Sequence, residues 1–455
     1  MEDLNASPPA SPAPHPPHGS TAPTAPPPAP PTRLVARTTR LDLPGSASDP
    51  DALLDLLPAR APLSWVRRGD GLIGWGEAAR IEVGGEGRFA HAESSWRHLL
   101  ERTTVHDDVR APGTGPVAFG SFAFDAASPS GGVLVVPSVV VGRRGRLAWV
   151  TTIAPEPDGP VEPPSVADLL VVGAAPVRAP GEVTYTDGAL TRDAWADVVS
   201  RAVEHIRAGE VDKVVLARDV HARTQEVLDP RWLLERLAAE YAGCWTFCVD
   251  GLVGATPELL VRSERGLVIS RVLAGTVRRT GSEQDDLAHA AALTRSSKDL
   301  EEHEYAVDSV ARALEPFCAS TNVPETPFVL QLPNVMHLAT DVTGVLAHPG
   351  ASSLDLVEAL HPTAAVCGTP TEAANRLIQE IEGLDRGRYA GPVGWIGADG
   401  DGEWGIGLRS AELAPDDPHD LRLFAGCGIV AASVPQDELA ETDAKLEPMR
   451  YALGG

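Results

Sequence analysis

Two kinds of hydrophobic periodicity divide the chain. From Thr191 onwards, apolar side chains recur at helical spacing through Trp195, Val199 and Ile206 and stop at Gly209, which predicts a helix. Later apolar stretches predict further helices over about 230–241, 298–318, 369–383 and 436–451. Between these helices the sequence predicts strands at 211–220, 245–249, 258–262, 267–273, 391–396, 403–410 and 421–425.

The first half of the chain has a different rhythm. Over 34–180 short apolar runs alternate with Gly, Pro and Asp, and the segments 132–141 and 147–153 are rich in β-branched residues. We therefore divide the fold into a β-rich part over 34–185 and a region over 186–455. Because strands and helices alternate without a regular βαβ rhythm, we predict an α/β (α+β) layered fold that is mixed and mainly antiparallel.

Residues 1–33 form a segment of another kind. They contain twelve prolines and a single leucine, together with Ala, Ser and Thr. Such a composition cannot bury enough apolar surface to order itself, so we predict a disordered Pro/Ala-rich tail. The segment lacks a basic start followed by an apolar run, so it is not expected to be a secretory signal.

Composition narrows the classes of function. The 455 residues carry a net charge of −25, which repels phosphate backbones and argues against a nucleic-acid partner. A small anionic substrate would then need local cations or a metal ion in its site. The five cysteines are scattered, as expected for reduced thiols in a cytoplasmic protein. No run of 18 apolar residues occurs, so no membrane span is expected.

Two residues are candidates for proton transfer, each with a simpler reading. Lys213 opens a predicted strand and shares a face with Val215 and Ala217. It is either a strand-end lysine with its ammonium group in water or a base with a depressed pKa. Glu258 follows Pro257, which fixes the direction of the chain. This carboxylate is either aimed into a site or solvated in a turn.

Charged groups elsewhere are candidates for binding a metal or an anion. Asp299-x-x-Glu302 is typical of a helix start with a reciprocal glutamate, and Glu441 with Lys445 is typical of an exposed ion pair one turn apart. Two glutamates from separate helices would also suit Mg²⁺. Arg409 can clamp a carboxylate with two hydrogen bonds. Backbone N–H groups at the helix entry Thr369-Pro370 and around Gly426-Cys-Gly428 can face an anion, whereas His303 and His337 are structural by default.

Several separated segments, covering about 190–450, resemble the chorismate-utilising enzyme family in order and in residue type. That resemblance implies a large structure with two packed sheets and helices outside, and chorismate as the small-molecule substrate. The matching segments are Lys213-Val-Val-Leu-Ala-Arg218, Thr256-Pro-Glu258, Leu273-Ala-Gly-Thr276, Glu302-His303, Asn334 to Thr340, Tyr389-Ala-Gly-Pro-Val-Gly-Trp395, Arg409, Ala425-Gly-Cys-Gly-Ile429 and Glu441-Thr-x-x-Lys445.

The resemblance also implies roles for individual residues. Lys213 is then the general base that activates water, and Glu258 is the general acid. Glu302 and Glu441 are the implied Mg²⁺ ligands, which makes Mg²⁺ the expected cofactor. The implied substrate-site residues are Thr276, His337, Tyr389, Arg409, Gly426 and Lys445.

The segment His361-Pro-Thr-Ala-Ala-Val-Cys-Gly-Thr-Pro370 resembles the isochorismate synthase branch of the family. That branch implies an isomerase that adds water at C2 of chorismate and removes the C4 hydroxyl, for menaquinone or siderophore biosynthesis. Anthranilate synthases carry glutamine where Lys213 stands, because ammonia is their nucleophile, so we expect no glutaminase subunit here. We also expect a monomer that acts in the cytoplasm. Salicylate synthases share Lys213 and Glu258 and remain an alternative, as does a non-catalytic binding protein of the same fold.

Overall fold

A computed structural model describes residues 33–42, 53–156, 164–173, 175–347 and 350–454, without the side chains of Lys298 and Glu302. The predicted tail over 1–33 therefore lies outside the described residues, apart from Arg33. No helix within the described ranges is long and apolar enough to cross a bilayer.

The first half of the described chain is dominated by strands. Runs such as Gly-Val-Leu-Val-Val and Val-Val-Val-Gly-Arg-Arg form strands because β-branched side chains pack well on a pleated surface. The predicted run 132–141 is thus two strands. The elements are β1 (Leu34–Leu41), a short 3₁₀ turn (Leu54–Leu56), β2 (Leu63–Arg67), β3 (Asp70–Trp75), β4 (Ala79–Val83), α1 (Arg88–Leu100), β5 (Thr103–Asp107), β6 (Val117–Phe122), β7 (Gly132–Val136), β8 (Val139–Arg144), β9 (Leu147–Pro155), α2 (Val166–Gly173) and β10 (Val183–Asp187).

The second half alternates helices with strands, and each predicted helix is present. The elements are α3 (Arg192–Arg207), β11 (Lys213–Thr224), α4 (Pro230–Glu240), β12 (Trp245–Val249), β13 (Leu252–Thr256), β14 (Leu259–Glu264), β15 (Leu267–Arg278), α5 (Glu283–Leu293), α6 (Ser297–Leu314), β16 (Cys318–Asn322), β17 (Phe328–Gln331), β18 (Val335–Leu346), α7 (Ser353–Leu360), β19 (Gly368–Thr369), α8 (Thr371–Ile381), β20 (Pro392–Gly397), β21 (Gly402–Ile406), β22 (Ser410–Leu413), β23 (Asp420–Ile429) and α9 (Pro435–Leu453).

The described strands form two large sheets. The first sheet runs β10-β11-β23-β22-β13-β12-β2-β3-β8-β9-β1-β5, with β19 beside β11, and the second runs β16-β18-β15-β14-β21-β20-β6-β7-β4, with β17 beside β18. Neighbours are antiparallel except for the parallel pair β1 and β5. Strands from 34–185 and from 186–455 pair directly, β2 with β12 and β6 with β20, so both parts of the chain build both sheets.

An aromatic layer lies between the sheets. Trp65 and Trp245 of the first sheet both donate indole N–H hydrogen bonds to Glu403 of the second, at 2.9 and 3.0 Å. Other buried side chains of this layer include Phe119, Trp149, Phe247 and Trp395. Helices α4 and α9 cover the first sheet, and α1, α6 and α7 cover the second. The predicted antiparallel two-sheet fold with helices outside is therefore confirmed.

Two predicted helix starts are wrong in detail. Helix α6 begins at Ser297 because the Ser296 hydroxyl accepts the N–H of Asp299. The predicted pairing of Asp299 with Glu302 at the helix start is therefore not the cap. At α8 the N-cap residue is Pro370, which makes no side-chain capping bond, so the helix begins at Thr371 and not at the predicted position 369. Helix α8 is instead fixed by its buried face of Ala374, Leu377, Ile378 and Ile381.

Candidate active site

A cavity of about 200 Å³, called the central cavity below, lies between β11 and β23 of the first sheet and β15 and β18 of the second. Helix α9 and the chain around 386–409 close its remaining sides. Nine of the ten site residues predicted from the sequence line it: Lys213, Glu258, Thr276, His337, Tyr389, Arg409, Gly426, Glu441 and Lys445. Glu302 belongs to α6, whose first turn contributes Asp299 to the wall, but the Glu302 side chain lies outside the described part.

Lys213 is positioned by the pleat of β11. Successive side chains of a strand point to opposite faces, so Lys213, Val215 and Ala217 share one face, and all three line the central cavity. Pairing of Lys213 with Thr369 on one side, and of β11 with β23 on the other, fixes the backbone at this end of the strand. The ammonium group therefore belongs to the site and not to an exposed strand end.

Glu258 is a buried carboxyl at the entrance to β14. Pro257 precedes it, its N–H donates to the Thr256 hydroxyl at 3.3 Å, and its carbonyl accepts the N–H of Ile406 at 3.2 Å. Only 6% of the residue is exposed. Burial raises the pKa of Glu258 to about 8, although Lys213, Lys445 and Arg409 oppose the shift. The carboxyl is therefore mostly protonated at neutral pH, and the reading as a solvated turn glutamate is wrong.

Thr276 reaches the cavity through a β-bulge. The register between β15 and β18 shifts between Ala274 and Thr276, and Gly275 adopts φ +69 at this point. A Cβ on Gly275 would lie 3.2 Å from the Asp299 Cβ of helix α6. Glycine therefore suits this position, because it tolerates the left-handed backbone conformation and leaves room for helix α6. The bulge places Thr276 beside His337.

His337 is held as a neutral imidazole with a defined tautomer. Burial, and the positive charges of Arg409 and Lys445, lower the pKa of His337 to about 3. Arg409 Nη2 lies 3.3 Å from His337 Nε2, and a guanidinium can only donate. Nε2 is therefore the acceptor and Nδ1 carries the proton, close to the Gly275 carbonyl at 3.2 Å and the Thr276 hydroxyl at 3.1 Å.

Arg409 has unsatisfied donor capacity inside the cavity wall. It is 7% exposed and adopts φ +50, a left-handed conformation that is costly for a residue with a side chain. Its Nη1 is buried and has no hydrogen-bond partner among the described residues. Tyr389 lines the same wall, its ring stacked on Phe424 at 5.1 Å, and burial raises the pKa of its hydroxyl. These donors suit a substrate carboxylate.

Helix α9 presents a carboxylate and a cation to the cavity. Lys445 Nζ donates to the Gly426 carbonyl at 2.9 Å and pairs with Glu441 Oε1 at 2.7 Å. Burial would raise the pKa of Glu441, but Lys445, with Arg409 and Lys213, lowers it below its ordinary value. The ion pair expected from the spacing exists, but in the cavity wall. One turn earlier, burial and then the charge of Glu441 raise the pKa of Glu438.

The carboxylates suit a hard cation. Glu441 and Glu438 on α9 face the same cavity as Asp299 on α6, and Glu302 follows Asp299 on that helix by one turn. Oxygen donors of this kind match Mg²⁺, which keeps waters and shares its shell with substrate oxygens. Among the described side chains no three possible ligands converge to hold a metal by themselves. A metal here would rely on a carboxylate from each helix, with Glu441 turning from Lys445.

The structure also departs from the sequence reading around the site. The helix entry Thr369-Pro370 does not line the central cavity; Thr369 lines an adjoining cavity of about 380 Å³ that shares Lys213. His303 is buried against the Thr340 hydroxyl at 2.7 Å, in line with a structural role. His337 instead belongs to the site. Sequence reasoning missed the wall residues Asp299, Ala365, Val366, Arg386, Cys427 and Glu438. Of these, Asp299 and Glu438 lie one helical turn from predicted ligands, and Ala365, Val366 and Cys427 lie within segments that carry the family resemblance. Arg386 carried no signal.

One cavity thus combines a buried carboxyl, a lysine and unsatisfied donors that suit a carboxylate, an arrangement typical of enzymes that act on small anionic substrates. Residues 62–454 match the family model described as "Chorismate binding enzyme". The chain therefore belongs to the family of chorismate-binding enzymes.

Individual relatives carry more specific names. The salicylate biosynthesis isochorismate synthase of Pseudomonas aeruginosa is 35% identical over 411 residues, covering 86% of this chain and 84% of the relative. Isochorismate synthase DhbC of Bacillus subtilis is 41% identical over 267 residues, or 56% of this chain and 66% of that relative. A crystal structure from Bacillus anthracis, assigned as the 2,3-dihydroxybenzoate-specific isochorismate synthase DhbC, has a TM-score of 0.72 at 32% identity and covers 89% of this chain and 99% of its own.

Proposed function

We propose that this chain is an isochorismate synthase that isomerises chorismate to isochorismate. The observation that carries the proposal is that Lys213 and Glu258 line the same cavity and that burial raises the pKa of the Glu258 carboxyl to about 8. An isomerisation that adds water at one ring carbon and removes hydroxide at another needs a base and an acid at the same time. The names of the relatives support the same reaction.

The mechanism assigns a step to each residue. Arg409 Nη1 and the Tyr389 hydroxyl bind a substrate carboxylate, while Thr276 and His337 form the adjacent wall. Lys213 Nζ accepts a proton from water as the water oxygen bonds to C2. Glu258 donates its proton to the C4 hydroxyl, which leaves as water while the ring double bonds shift. Atoms balance, because one water enters and one leaves.

Magnesium is part of the proposal. Glu302 and Glu441, from helices α6 and α9, are the residues that would hold the ion, and Glu441 also pairs with Lys445 Nζ at 2.7 Å. The ion would supply positive charge that offsets a substrate carboxylate facing these glutamates. Lys445 stays anchored by the Gly426 carbonyl, so its ammonium group remains at the cavity wall.

The alternatives differ in their products. A salicylate synthase would release salicylate and pyruvate, and a non-catalytic binding protein would hold chorismate unchanged. The second alternative is disfavoured because Lys213, Glu258, Glu302 and Glu441 are all present. We assign the product to a menaquinone or a siderophore route without choosing between them, and we propose water as the only nucleophile, without a glutaminase subunit.

Product analysis tests the proposal. Purified protein is incubated with chorismate and Mg²⁺, and products are separated by liquid chromatography with mass detection, with Lys213→Ala as the control. The expected result is reversible formation of isochorismate that stops after EDTA treatment and resumes with added Mg²⁺. Salicylate and pyruvate as main products would favour the salicylate synthase reading. Activity that survives exhaustive EDTA would reject the metal assignment.

A further inference from the structure

The strand that carries Lys213 has an edge on which no described strand pairs over several residues. Strand β19 pairs with residues 213–214 of β11, and β10 pairs with residues 220–224. Between these two paired stretches, the backbone N–H and C=O groups of Val215 and Ala217 point towards the unpaired edge, and this part of the edge is buried inside the protein. Buried backbone N–H and C=O groups are almost always satisfied, so other partners must replace the missing strand.

A buried ion pair supplies the partners of two of these four backbone groups. Arg386 Nη2 donates to the Val215 carbonyl at 2.7 Å, and Glu382 Oε2 accepts the Ala217 N–H at 2.8 Å. The two side chains join each other through two hydrogen bonds of 2.7 Å. Arg386 Nη1 also donates to the Val366 carbonyl at 3.0 Å. The guanidinium therefore ties β11 to the segment that follows His361.

The remaining groups on this edge have partners from two other elements. The Val215 N–H donates to the Cys367 carbonyl at 2.8 Å, and the Trp195 indole N–H donates to the Ala217 carbonyl at 2.9 Å. Among the described residues that bond to this edge, the Glu382–Arg386 pair is the one that contacts both Val215 and Ala217. It is fully enclosed, with Glu382 0% and Arg386 3% exposed.

Such a buried pair is a poor source of stability, because desolvation offsets the attraction, and apolar residues of similar size often replace it without loss. Its contacts point to another role. Val215, Ala217, Val366 and Arg386 all line the central cavity. The Arg386 carbonyl accepts the Tyr389 N–H at 3.0 Å. The side chains of the pair therefore contact two walls of the site, and the Arg386 backbone contacts a third.

We propose that Glu382 and Arg386 are positioning residues that stand in for the missing strand and hold Lys213 in register with the substrate. The inference rests on the proposed function, since it assigns the pair to the water-activating step. A proton acceptor displaced by about 1 Å can cost about 10²-fold in rate, so loss of this contact should act on turnover more than on binding.

The test is Arg386→Lys, which keeps a positive charge beside Glu382 but removes the fork that reaches both carbonyls. The variant should stay folded by circular dichroism, bind chorismate with a KM within a few fold of wild type, and lose about 10²-fold in kcat. The matched control is Arg236→Lys. Arg236 also forks onto a backbone carbonyl, that of Tyr451, at 2.9 and 3.2 Å, but away from the cavity. It should keep wild-type kcat.

A double-mutant cycle separates positioning from direct substrate contact. If Arg386 acts through the base, adding Arg386→Lys to Lys213→Ala should lower the residual turnover by less than about twofold. An undiminished further loss, or a large rise in KM, would overturn the inference and make Arg386 a substrate-binding or purely structural residue.

Folding failure is covered by a second variant. Glu382→Gln combined with Arg386→Met removes both charges together, so no buried charge is left unpaired. This double variant should fold and show the same loss of kcat. Wild-type kcat in either folded variant would overturn the inference while the wild-type enzyme still makes isochorismate. Failure of the wild type to make isochorismate would instead overturn the proposed function.

Discussion

Replacing the carboxyl of Glu258 by an amide should change stability in a way that depends on pH. The pKa of Glu258 is about 8 in the folded protein, against an ordinary value of 4.5, and burial is the main cause. The folded state therefore holds this proton more tightly than the unfolded chain. The favourable contribution is fully present below about pH 4.5 and is lost as the pH rises through about 8. Glu258→Gln has no proton to lose.

The magnitude follows from the two pKa values. Their difference is about 3.5, and each pKa unit corresponds to about 1.4 kcal/mol. The free energy of unfolding of Glu258→Gln, measured relative to wild type, should therefore rise by about 1.4 kcal/mol per pH unit between pH 4.5 and 8. The gain should level off near 5 kcal/mol above pH 8. The stability of the variant relative to wild type is thus higher in alkaline than in acidic buffer, although the variant cannot act as an acid.

Urea denaturation followed by tryptophan fluorescence at pH 5, 6, 7, 8 and 9 measures this difference, with the exposed Glu372→Gln as control. The control should show only a small difference in the free energy of unfolding, because the Glu372 side chain is largely exposed. A Glu258→Gln curve parallel to wild type at every pH would refute the buried-acid assignment. The same pKa predicts that wild-type kcat falls as the pH rises through about 8, because the acid must be protonated to act.

Three further substitutions test other parts of the site. Lys213→Ala should lower turnover by roughly 10²–10⁴-fold while calorimetry still detects chorismate binding; a loss of only a few fold would reject Lys213 as the base. Arg409→Lys should raise KM by about 10-fold, because the contact from Nη1 to the substrate carboxylate is lost, and an unchanged KM would place the carboxylate elsewhere. Gly426→Ala should lower both the thermal midpoint and turnover, because the added Cβ would lie 2.9 Å from the Leu216 carbonyl oxygen and 3.3 Å from the Tyr389 hydroxyl. A wild-type midpoint and turnover would contradict this crowding.

Local patterns predicted much of the scaffold because they report directly on backbone period. The apolar spacing of α3 and the alternation at the start of β11 depend only on which face is buried. Strand β15 was predicted to stop at Leu273, but pairing with β18 carries it to Arg278 through the bulge at Gly275. A partner strand more than 50 residues away decides that extension, and no local pattern contains it.

Burial decides the rest of the site, and residue spacing does not encode it. Helix α8 illustrates the point with two pairs of Glu and Arg, both four residues apart. Glu372 and Arg376 are largely exposed, whereas Glu382 and Arg386, at and just beyond the end of the helix, are enclosed against β11. The sequence gives both pairs the same appearance. The raised pKa of Glu258 was inaccessible for the same reason, because it depends on how completely the two sheets enclose the carboxyl.

The sharing of both sheets between the two parts of the chain limits how the protein can be divided. All the proposed catalytic residues lie within 186–455, which makes that fragment look like a minimal enzyme. A fragment of residues 186–455 would lack β2, the partner of β12, and β6, the partner of β20, so β12 and β20 would become edge strands. Bare strand edges of this kind recruit other strands, so the fragment should aggregate when expressed alone. The β-rich part therefore pairs with edges that the rest of the chain would otherwise expose, so any shortened version needs another way to close them.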